Sequence, residues 1–125
     1  MKNVDRAQKQ IKRRVLTLLK KTRRWFKSED RLVTDWDHFL EDKEGNRLHY
    51  QDGTDDACRA CILGGLRIAQ GRREWGTIDA LAESRIEAAA YASSRKFDFL
   101  KPHRLATVHS IYDRAIRQLE KELAA

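Results

Sequence analysis

The 125-residue chain contains a single proline, Pro102, and only two cysteines, Cys58 and Cys61. Two thiols so close together cannot frame a disulfide-stapled extracellular domain, so a reducing cytoplasm is the expected compartment. No Gly/Ser-rich linker or internal repeat divides the chain, which leaves one domain with one modest core. No apolar run approaches the ~20 residues that a membrane span needs. Charges also interrupt the N-terminal stretch too often for the apolar segment of a secretory signal. Acids are scarce at one end only: the first 27 residues hold Asp5 alone against eleven lysines and arginines. That stretch carries a formal +10, while the remaining fifteen cations and eighteen acids sum to −3. The imbalance points to an anionic partner and excludes little else.

What is present reads as helix. Val4, Ala7, Ile11, Val15, Leu18, Thr22 and Trp25 recur at spacings of three and four, the apolar stripe of a helix from about residue 3 to 27. Leu16, Leu19 and Phe26 widen it. Residues 1–10 are poorer in apolar content and form a basic lead-in expected to fray or stay mobile, ahead of one helical domain over 11–125. The segment His38–Asp42, a turn at Gly45-Asn46 and Arg47–Tyr50 predict a short hairpin. Such a hairpin must lean on the helices, with Trp36, Phe39, Leu48 and Tyr50 as the contacts. Thr54 or Asp55 is a suitable N-cap for a second helix reaching Gln70 and stopped by Gly71, with Ala57, Cys58, Cys61, Ile62, Leu66 and Ala69 inward. Gly64 and Gly65 inside it each cost ~1 kcal/mol relative to Ala, which implies the close approach of another helix backbone. A third helix follows Thr77, with Ile78, Leu81, Ala82, Ile86, Ala89 and Ala92 inward. A fourth starts near Pro102 and carries Leu105, Val108, Ile111, Tyr112, Ala115, Leu119 and Leu123. The expected fold is mainly α: four helices around a single core, with a small β-hairpin inserted between helices one and two.

Three stretches taken together carry a family likeness. They are Trp36 ahead of the Gly45-centred turn, Ala60-Cys61-Ile62-Leu63-Gly64-Gly65-Leu66, and the run from Phe97-Asp98-Phe99 to Asp113-Arg114-Ala115-Ile116. Over roughly residues 11–120 the chain resembles an uncharacterised family of short helical proteins of bacteria and their phages. Members of that family carry a Trp before a polar hairpin, a Cys-x-x-Gly-Ala-Leu helix, and a Trp-Asn-Asp segment before a terminal Asp-Arg-Ala-Ile helix. Here Phe97-Asp98-Phe99 stands in place of Trp-Asn-Asp, and Gly65 in place of the usual Ala. The resemblance implies the helical fold and a phage or bacterial setting, the host cytoplasm if phage-encoded. It brings no catalytic residue with it.

No constellation of catalytic or ligating residues stands out. Cys58-x-x-Cys61 falls on the apolar side of the expected second helix, so both thiols are read as buried core residues. A zinc site would need two of His38, His49, His103 and His109, whose spacing to the cysteines is wrong for a finger. His109 and Asp113 share a helix face at i,i+4, but Ser110 points about 100° away, so no triad forms locally. Asp52, Asp55 and Asp56 lack the ligand alternation of a calcium loop, and Glu83 with Glu87 reads as a solvated face. No cofactor, metal or enzymatic activity is expected.

The basic segment therefore carries the functional expectation. Eleven cations with one acid leave almost no i,i+4 compensation, so charge balance must come from the rest of the chain or from a partner. The expected contacts with a host nucleic acid or nucleoprotein are Lys12, Arg13, Lys20, Arg23, Arg24 and Lys27, acting by charge with little sequence selectivity. Trp25 either stacks on bases or completes the core stripe. The alternative is a protein-binding inhibitor or adaptor of a host defence complex that presents Glu41, Asp42, Glu44, Asp52, Asp55 and Asp56 to a basic channel. A lipid-surface role for the same helix ranks lowest, because Leu16, Leu18 and Leu19 are needed by the core. The apolar face of helix one is also the candidate surface for a homodimer.

Overall fold

A computed structural model describes residues 2–34, 40–49, 54–71 and 74–125. Helix α1 runs unbroken from Lys2 to Trp25, so residues 2–10 are its first turns. Only its second half is covered: Val15, Leu18, Leu19 and Thr22 are buried, as is Phe26 just beyond it, whereas Val4 and Ile11 remain 55% and 37% exposed. The apolar face proposed for self-association is thus already committed to the core from Val15 onward.

After a 3₁₀ turn at Glu29–Arg31, strand β1 (Leu40–Glu41) pairs antiparallel with β2 (Arg59–Ala60), in the register Leu40 opposite Ala60 and Glu41 opposite Arg59. The expected turn also forms. Gly45, at φ +87°, donates its N–H to Asp42 O, and Leu48 N–H donates to Leu40 O. Of the anticipated hairpin contacts, Leu48 packs against the core, while Trp36, Phe39 and Tyr50 lie outside the described residues.

The second helix departs from expectation. Helix α2 spans only Gly64–Gln70. Thr54–Asp56 instead make a turn closed by Ala57 N–H to Thr54 O, and Cys58 N–H donates to Glu41 O at 2.8 Å. Backbone groups spent on the sheet cannot also build a helix, so the apolar spacing of residues 57–62 is a strand and turn in a helical disguise. The helix begins where the Cys61 sulfur accepts the Gly64 N–H at 3.2 Å, and it ends at Gly71 in the left-handed region. Gly65 is required by packing: an added Cβ would overlap the Phe26 ring and lie 3.3 Å from Thr22 Cγ2. The approach is close, but it is made by side chains, Thr22 of α1 and Phe26 just after it, and not by a helix backbone.

Helix α3 (Thr77–Ser93) and helix α4 (Leu105–Ala124) complete the bundle. In α3, Asp79, Ala82, Ile86, Ala89 and Ala90 are buried, while Leu81 and Ala92 stay on the surface. Asp79 Oδ2 reaches back to accept the Gly76 N–H at 2.8 Å, satisfying one orphan donor at the helix start. α4 buries Val108, Ile111, Tyr112, Ala115, Ile116 and Leu119. The Tyr112 hydroxyl donates to Ile62 O at 2.7 Å, which ties α4 to the turn before α2. The described residues are mainly α, with four helices and a small two-stranded antiparallel element between α1 and α2. No helix among the described residues is long and apolar enough to cross a membrane.

Candidate nucleic-acid interface

Each residue of an α-helix turns about 100°, so the cations of α1 divide into three sets once its buried side is known. The first set faces α4, which runs antiparallel to α1. Lys12 Nζ lies 3.0 Å from Glu122 Oε1, and Lys20 Nζ lies 3.3 Å from Glu120 Oε2. Arg23 grips Asp113 with two contacts, Nε to Oδ1 at 2.5 Å and Nη2 to Oδ2 at 3.3 Å. Glu122 also accepts both terminal nitrogens of Arg85 from α3. That fork, aided by Lys12, holds its carboxyl well below the usual range, at about 2. Three of the six predicted anion-binding residues, Lys12, Lys20 and Arg23, are therefore paired inside the molecule.

The second set points away from the bundle. Arg6, Lys9, Arg13 and Arg24 are exposed and make no ion pair with a described residue. Their spacing follows the three-and-four rhythm of one helix face. Lys27, just past the helix, is also exposed. The third set, Arg14 and Lys21, lies seven residues apart on the flank toward α2 and α3. With Thr17, Gln70 and Asp79 these two line a shallow depression of about 280 Å³. Asp79 is buried there, and its Oδ1 has no hydrogen-bond partner among the described residues. Arg14 and Lys21 escape attention in the sequence because a cation beside an apolar stripe is not distinguished from one opposite it until the stripe's centre is known.

Trp25 is no open stacking surface. It is half-buried, meets Phe26 edge to face at 5.0 Å, and carries the Arg31 guanidinium 5.0 Å above its ring. His109 and Asp113 do not pair with each other. His109 Nε2 meets Phe26 O at the end of α1, and Asp113 is taken by Arg23.

The acidic surface is smaller than the sequence suggests. Glu41 is 2% exposed, with Arg59 Nη1 at 3.9 Å from Oε1, so it belongs to the interior and not to a partner surface. Asp42 is a turn former: its carboxylate accepts the N–H groups of Glu44 and Asn46 at 3.0 and 2.8 Å. Those bonds, the Asn46 backbone first, lower its pKa. Glu44, Asp55 and Asp56 are exposed, and Asp52 lies outside the described residues.

Cys61 is buried, and burial pushes its thiol up from the ordinary value. Cys58 is exposed, contrary to expectation, because this stretch leaves the helical path: Cys58 N–H donates to Glu41 O and Arg59–Ala60 form β2. Among the described residues no group of three or more His, Cys, Asp or Glu side chains is placed to hold a metal ion. Compared with protein-family models, with curated proteins and with solved structures, the chain shows no match.

Proposed function

We propose that the protein is a non-enzymatic phage or prophage accessory protein of the host cytoplasm that binds a nucleic acid, free or in a nucleoprotein, through the outer faces of α1. The phage setting rests on the sequence resemblance. The binding mode rests on one observation: α4 supplies acids to one flank of α1 only. Arg6, Lys9, Arg13 and Arg24, flanked by Arg14 and Lys21, are left without acidic partners among the described residues. From residue 6 to 24 they extend about 27 Å at 1.5 Å per residue.

A row of like charges on one helix repels itself, and that cost is relieved when phosphates replace the missing acids and counterions leave. No side chain in the row sits in a groove-reading motif, so contacts go to the backbone and sequence selectivity is low. The acidic hairpin is the poorer docking surface, since Glu41 is internal and Asp42 is occupied by its own turn.

The test is a fluorescence-anisotropy titration of labelled oligonucleotides. With about six phosphate contacts, affinity should fall roughly a thousandfold between about 50 and 200 mM salt. The double charge reversal Arg13→Glu with Arg24→Glu should abolish binding at the lower salt. No binding at low salt, or an affinity indifferent to salt, rejects the proposal.

A further inference from the structure

A second group of surface cations surrounds the α3–α4 connection. Arg95, Lys96 and Arg104 are exposed and form no ion pair with a described residue. Asp98 is the one acid between residues 91 and 104, and its Oδ1 is engaged by the Leu100 N–H at 2.9 Å. Between these cations stands a run of aromatic rings. His103 lies flat on Phe97, with centroids 4.5 Å apart and planes 15° from parallel, and its Nε2 is held 2.8 Å from Asp98 O. Phe97 meets Phe99 edge to face at 4.7 Å, and Phe99 meets Tyr91 in the same manner at 5.5 Å. Phe97 and Phe99 rest on the core, while the outermost ring, Tyr91, is 47% exposed.

The position of this cluster links it to α1. Leu105 N–H, at the start of α4, donates to Glu29 Oε1 at 3.0 Å, and His109 in the next turn meets the Phe26 carbonyl. The row of α1 cations without an ion-pair partner among the described residues therefore ends, at Arg24 with Lys27 just beyond, on the same end of the bundle as the aromatic loop. Arg104 stands at the start of α4, and Arg95 and Lys96 follow the end of α3 in the same connection as Phe97 and Phe99.

We infer that Tyr91, with Arg95, Lys96 and Arg104, is a stacking site for an unpaired base, so that the preferred ligand is a single-stranded nucleic acid. This rests on the nucleic-acid reading above and narrows it. Duplex bases are stacked on one another and offer no face to a tyrosine, whereas every unpaired base has one, whatever its identity. A ring already fixed by Phe99 loses little freedom on binding.

The experiment compares a labelled oligothymidylate of about 12 nucleotides with a duplex of equal length, titrated at about 50 mM salt. Tyr91→Ala should weaken oligothymidylate binding about tenfold and change duplex binding by less than about twofold, while Tyr91→Phe should behave as the parent chain. Circular dichroism confirms that each variant is folded, as expected for a surface ring. Equal loss on both ligands, loss on neither, or tighter binding of the duplex by the parent chain overturns the stacking site and leaves the electrostatic reading standing. Failure of the parent chain to bind either ligand overturns both.

Discussion

Glu122 stands where α1, α3 and α4 meet, and its neighbours give it a defined pH signature. Its folded-state pKa is about 2 against an ordinary 4.5, chiefly through the Arg85 fork. Its contribution to stability is therefore complete above pH 4.5 and is lost as pH falls toward 2. Glu122→Gln should lower stability by about 1 kcal/mol at neutral pH and flatten the acid limb of the curve, read from urea midpoints at several pH values. Glu83 runs the other way. Burial and then the adjacent Glu87 raise its pKa, so its protonated form favours the fold and that benefit fades as pH rises through the raised value. Glu83→Gln should make the protein slightly more stable at neutral pH than the parent, an effect that vanishes in acid. Gly65 offers a steric test at the same scale. An alanine there must displace the fully buried Phe26 ring, and a loss of about 1–3 kcal/mol is expected in urea denaturation. The sequence announced a close approach at Gly65 through the cost of its missing side chain. It pointed to a helix backbone, whereas the approaching group is an aromatic ring.

At the scale of elements, α1 has two functions on different sides of one cylinder, and neighbouring arginines separate them. Arg23 is clasped by Asp113, whereas Arg24 has no acidic partner among the described residues. Arg23→Ala should cost about 1 kcal/mol of stability and leave nucleic-acid affinity nearly unchanged. Arg24→Ala should leave the urea midpoint in place and reduce the slope of log affinity against log salt by about one. Equal effects of the two substitutions on both measurements would remove the distinction. α1 and α4 were legible in the sequence because each presents a long apolar stripe of period 3.6, and α3 because Ala82, Ile86 and Ala89 keep that spacing in an alanine-rich run. α2 was legible only at its end, where Gly71 sits. Its start was hidden because Ala57, Cys58, Cys61 and Ile62 are spaced like a helix yet lie in a turn and a strand, held by a ladder to Leu40 and Glu41 that local spacing cannot reveal.

For the whole molecule, the decisive quantity is how the N-terminal charge is disposed around the bundle. Removing residues 1–10 deletes three cations and Asp5 from a stretch whose described side chains are all exposed. The urea midpoint should hardly move, while low-salt affinity for nucleic acid should fall severalfold. A large loss of stability would show that this end of α1 is packed. The amino-acid sequence by itself determined the fold class, the three long helices, the Gly45 turn and the amount of basic charge, since composition and periodicity are local properties that every segment carries alone. Only the tertiary structure decided which cations are free. Lys12, Lys20 and Arg23 meet acids about ninety or more residues away on α4; Arg6, Lys9, Arg13 and Arg24 do not. Pairing across that separation depends on how two helices are rotated against each other, and that rotation is set by the packing of their buried faces, not by the charges themselves.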